Sequence, residues 1–177
     1  CLSNYLSALL SYDKHNNDLA LEYFNSSKNL LDEHDKFLKK YVFSLVADGQ
    51  ISKAIKHIQY SKNKNNSSFF EANLLLVLDS LNKKNFAKTS KLLANLKAYQ
   101  QNGTYEFIIY ETLKSYNKLF SDGIIESTNQ NFGKLSLITT AFQNCYLTSN
   151  KTNSHFINLI NSEEGDYSRY LFFYLTK

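Results

Sequence analysis

Apolar residues recur at three- and four-residue intervals along most of this chain, the spacing that lines one side of an α-helix. Tyr5, Leu6, Leu9, Leu10 and Tyr12 form the first such run. Phe37, Leu38, Tyr41, Val42 and Leu45 form another, and Leu74, Leu75, Leu78 and Leu81 a third. A second type of helix follows each of them, and the breaks between helices carry end signals. Asn17, Asp35 and Asn85 stand where a side chain can cap a helix N-terminus. Ser68 to Glu71 reads as a capping box, and Gly49 stands where a left-handed residue would end a helix. The first 100 or so residues therefore predict three helix–turn–helix units, at 1–34, 35–67 and 68–102.

The second helices share a grammar. Ala20 and Ala54 lie 34 residues apart. Each is followed four residues on by a bulky residue, Phe24 or Ile58, and three further by a small one, Ser27 or Ser61. The pattern returns one residue late, with Thr89 in the small place. A small residue there lets the two helices of a unit cross closely, with Ala8 facing Ala20. Beyond residue 103 the period blurs. Helices are expected from Gly103 or Thr104 to Phe120, from Gly133 to Leu147 and from Thr152 to Asn161. Residues 121–131 form a polar loop, and Asp166 caps a last helix.

Composition agrees with an all-helical chain. The 177 residues include no Pro and only 5 Gly, so the punctuation of turn-rich β proteins is missing. With 43% hydrophobic and 15% aromatic residues, there is ample surface to bury, and a chain this long needs no metal or disulfide staple. It lacks an initiator Met and stops within the apolar run Tyr170 to Leu175, which reads as a piece of a longer protein. No apolar run approaches the ~20 residues of a membrane span.

A 34-residue helix pair with small–bulky–small spacing resembles the tetratricopeptide (TPR) repeat. Val42, Val77 and Thr89 depart from its small residues, and its usual proline is absent, with Asp32 and Asn66 near its place. The Asn4-Tyr5-Leu6 opening and the segment Ala72 to Leu81 are similar to the amino-terminal part of long alphaproteobacterial TPR proteins. The resemblance implies one right-handed α-solenoid of antiparallel helix pairs over 1–177, degenerate in its C-terminal half (103–177). It also implies a periplasmic or envelope location, with the cytoplasm open.

Stacked pairs create a concave surface, which in this family is lined by the first helix of each unit. Transferred to this chain, the groove residues are Tyr5, Leu9, Tyr12, Lys36, Lys39, Phe43, Leu74 and Leu78, with Glu71 beside them. The family's carboxylate-gripping positions hold Tyr5, Leu9, Lys40, Glu71 and Leu75, so no such clamp is expected. An apolar groove suits an amphipathic helix from a protein partner. Leu9, Phe43 and Leu78 can equally be read as core, covered by neighbouring helices.

The chemistry-bearing residues point away from catalysis. His15, His34, His57 and His155 are scattered, no metal-ligand spacing occurs, and no phosphate loop or nucleophile elbow is present. The acids at Asp32, Glu33 and Asp35, and at Glu163, Glu164 and Asp166, stand at helix starts, where negative charge favours the macrodipole. Cys145 reads as a small buried hydrophobe. The net charge is +4, but Arg169 is the only arginine, which argues against nucleic acid. The sequence thus predicts no enzyme, no cofactor, no metal and no small-molecule substrate. It predicts a protein-interaction scaffold or, alternatively, a structural segment of a larger envelope or secretion assembly with its groove filled in cis.

Overall fold

The computed structural model describes residues 2–32, 35–62, 69–99, 101, 104–126, 131–162, 170 and 176. Among the described residues the fold is all-α: α1 (Leu2–Asp13), α2 (Asn17–Asn25), a 3-10 turn (Lys28–Asp32), α3 (Asp35–Ala47), α4 (Ile51–Lys62), α5 (Phe70–Asn82), α6 (Phe86–Lys97), α7 (Tyr105–Asp122), α8 (Lys134–Tyr146) and α9 (Thr152–Ile160). The chain divides into two units, Cys1–Asn82 and Lys83–Lys177. The division falls inside the third expected helix pair, between α5 and α6.

In the first unit α1 packs on α2 and α3 on α4, and each pair is joined by a tight turn. The amide of Asn16 bonds to the Ser11 carbonyl at 2.9 Å and that of His15 to Tyr12 at 3.0 Å. The same two bonds recur from Gln50 to Leu45 (2.8 Å) and from Gly49 to Val46 (3.0 Å). This paired pattern is a Schellman motif, which satisfies the last carbonyls of a helix around one left-handed residue. That residue is His15 (φ 58°) in the first turn and Gly49 (φ 75°) in the second.

Ala8, Ala20 and Ala54 are completely buried, as are Val42, Phe24, Ile58, Ser27 and Ser61. The aromatic rings of Tyr5, Phe24, Phe37 and Tyr41 knit α1, α2 and α3 together. Phe24 meets Phe37 edge-on at 5.3 Å, and Tyr5 meets Phe37 at 5.2 Å. Tyr41 Oη donates to Asn25 Oδ1 at 2.8 Å, so the phenol in this core has a partner.

Several ends differ from expectation. The cap of α2 is Asn16, whose Oδ1 accepts from the Leu19 amide at 3.3 Å. Asn17 lies inside the first turn, and its Nδ2 donates to the Ser44 carbonyl at 3.0 Å, tying α2 to α3. Helix α2 also stops before Ser27, and the hydroxyls of Ser26 and Ser27 donate to the carbonyls of Glu22 and Tyr23. The chain then makes a 3-10 turn that buries Leu30 and Leu31. Asn85 caps α6 as expected, through the Lys88 amide at 3.1 Å. The expected box at Ser68, the acids at Glu33 and 163–164, and the cap at Asp166 lie outside the described residues.

In the second unit α6 packs on α7, and α8 on α9. Thr104 caps α7 through the Phe107 amide, and left-handed Gly123 ends it. The turn from α8 to α9 repeats the Schellman pair, Ser149 to Asn144 at 3.0 Å and Thr148 to Cys145 at 3.1 Å. Its left-handed residue is Thr148 (φ 51°). Ala141, Phe156 and Leu159 form a core, against which Ile138, Phe142, Cys145 and Tyr170 pack. Cys145 is a free thiol, half-buried in this apolar setting. Helices α7 and α8 are joined by a short bond from Gln143 Nε2 to Ser115 Oγ at 2.7 Å.

Candidate functional site

The hairpin turn after α1 and the last turns of α3 leave an open cleft of about 460 Å³ in the first unit. Tyr12, Asp13, His15, Asn17, Phe43 and Ala47 line it. Each wall has a local cause. Tyr12 and Asp13 end α1, His15 is held in the left-handed turn, and Asn17 is fixed by its bond to Ser44. Phe43, on α3, is half-buried.

The charges around the cleft are matched. Lys40 Nζ is 3.1 Å from the Asp13 carboxylate and stands 4.5 Å over the Tyr12 ring. Lys39 Nζ is 3.1 Å from Glu71 and lies 5.4 Å from the Phe43 ring and 5.6 Å from that of Phe69. Phe43 and Phe69 meet edge-on at 6.4 Å. These ion pairs are solvent-exposed, so each is worth about 0–1 kcal/mol. Their main effect is to hold the rings and cancel the local charge.

The eight residues singled out from the sequence distribute unevenly. Tyr12 and Phe43 share the cleft, and Lys39 borders it through Phe43. Tyr5 turns instead into the aromatic cluster with Phe24 and Phe37. Leu9 is half-buried on α1, and Lys36 is exposed on α3. On α5, Leu74 is half-buried and Leu78 is 44% exposed. Asp13, His15, Asn17 and Ala47 were not singled out. The 34-residue register places the turn after α1 beside the end of α3, which is the signal that could have found them.

Two further clefts lie in the second unit. One, of about 250 Å³, is lined by hydroxyls and by Glu111 and Glu126. The other, of about 400 Å³, lies beside Lys97, Lys114, Asn117 and Lys118. Their charges also pair internally, Lys114 with Glu111 at 3.5 Å and Lys118 with Glu126 at 3.6 Å. His57 packs against the Tyr41 ring at 5.1 Å. Burial, then the charges of Lys28 and Lys53, push its pKa below the usual histidine value. Among the described residues no three His, Cys, Asp or Glu side chains group to hold a metal ion. No described helix is long and apolar enough to cross a membrane. Comparison with protein-family models, curated proteins and solved structures gives no match to this chain.

Proposed function

We propose that this chain is a non-enzymatic interaction scaffold, a TPR-like solenoid segment that takes up an amphipathic helix from a protein partner. The observation that carries the reading is the cleft itself: two half-buried aromatic rings, Tyr12 and Phe43, face an open space of about 460 Å³. Clefts of this size with apolar walls and few polar groups suit one or two anchoring side chains. Because Lys39 and Lys40 are already paired with Glu71 and Asp13, recognition rests on apolar anchors. Long-range attraction of an acidic partner plays little part.

Display selection of helical peptides on the folded chain tests this. Recovered peptides should carry apolar anchors at helical spacing and bind with little dependence on salt. Tyr12→Ala and Phe43→Ala should each weaken binding at least tenfold, as buried aromatic anchors do, with the helical circular dichroism retained. Peptides indifferent to both substitutions, or held mainly by charge, would contradict the reading.

A further inference from the structure

The cleft of about 400 Å³ along α6 and α7 is lined by two residues whose buried oxygens lack a donor. Asn117, only 6% exposed, donates from Nδ2 to Ser90 Oγ at 2.9 Å, while its Oδ1 is buried with no hydrogen-bond partner. Glu126 has Oε1 at 3.6 Å from Lys118 Nζ, and its Oε2 is likewise buried without a partner. Buried polar atoms are normally paired, so orphaned ones call for an explanation. A carboxylate oxygen left so is the costlier of the two.

The far end of the same cleft has the opposite need. Lys97 lines it, is exposed, and has no ion-pair partner among the described residues. Lys114 and Lys118 line it too, but they already engage Glu111 and Glu126. Ser90 and Lys97 stand seven residues apart on α6, so about 10 Å of helix separates the two ends. Helical side chains tilt toward the N-terminus, which shortens that span for the Lys97 ammonium. Leu93 and Ala94 line the cleft between the two ends.

We infer that this cleft binds a small zwitterion, an α-amino acid with an apolar side chain, as a ligand rather than a substrate. Its ammonium brings three N–H donors, enough for both orphaned oxygens, and the bond to Glu126 is charge-assisted. Its carboxylate answers Lys97, and its side chain lies against Leu93 and Ala94. A cation without a carboxylate would meet three lysines uncompensated. An anion without an ammonium would leave both oxygens orphaned.

Isothermal titration calorimetry of leucine into the chain should show saturable binding at a single site. Isoamylamine and isocaproate, which keep one charge each, should bind at least tenfold more weakly. Lys97→Ala and Glu126→Gln should each weaken leucine at least tenfold, with the helical circular dichroism and melting midpoint unchanged. Asn117→Ala should do the same. Because that change also removes the bond to Ser90, the exposed Lys97→Ala keeps the test independent of folding. The absence of saturable leucine binding would overturn the inference. So would leucine binding indifferent to Lys97→Ala and Glu126→Gln, either single-charge analogue binding as tightly as leucine, or glucose binding in leucine's place.

Discussion

At the residue scale, the turns use left-handed backbone where side chains make it costly. His15, Lys84 and Thr148 have φ of 58°, 55° and 51°, and Gly49 has 75°. Only Gly49 was legible in the sequence, because glycine is the one residue whose identity announces this conformation. At His15 and Thr148 the two turn hydrogen bonds impose it against local preference. Thr148 is the least suited, since a β-branched residue rarely adopts positive φ. Thr148→Gly should raise stability by about 1 kcal/mol. Gly49→Ala, where an added Cβ would meet nothing within 4 Å, should lower it by about 1 kcal/mol through backbone strain alone. Urea denaturation of the two variants checks both signs.

Tyr41 adds a pH signature at the same scale. Burial pushes its pKa up to about 12 from 10.0, so the folded chain keeps the phenolic proton after the unfolded chain has lost it. The contribution is complete below pH 10 and is lost as the pH rises through 10 to 12. Tyr41→Phe should flatten this alkaline decline in stability. At neutral pH it should cost about 1 kcal/mol, because Asn25 loses its donor. Urea melts at pH 8 and pH 11 separate the two effects.

At the element scale, the small–bulky spacing was the most informative sequence feature. Ala20, Phe24 and Ser27, then Ala54, Ile58 and Ser61, are all buried, and so are Thr89, Leu93 and Leu96. The same spacing recurs in α9 as Thr152, Phe156 and Leu159, where the sequence predicts a helix of the divergent half without this spacing. A segment with five polar residues in nine and threonine in the small place hides the pattern until burial reveals it. The helices themselves were legible to within a few residues, since their periodicity and caps agree. The cleft was only partly so: Tyr12 and Phe43 were named by the groove geometry that the TPR resemblance implies, whereas Asp13, His15 and Asn17 belong to a turn that only packing brings to α3. If Ala20 sits at a close crossing of α1 and α2, Ala20→Leu should cost roughly 1–3 kcal/mol by overpacking. A melt matching the parent would remove the basis for that register.

At the scale of the whole molecule, the account joins an all-α chain of helix hairpins to a proposed role in holding a partner helix. Each unit has its own buried core, and the first carries the Tyr12–Phe43 cleft proposed for recognition. The proposal requires that first-helix residues outside these cores are surface, available to a partner, rather than core awaiting cover. Leu78, 44% exposed on α5, distinguishes the two most directly. Urea denaturation of Leu78→Glu should give a free energy of unfolding within about 0.5 kcal/mol of the parent, as for other surface substitutions. A loss of about 3 kcal/mol or more, the cost of an unpaired carboxylate in a core, would contradict the account.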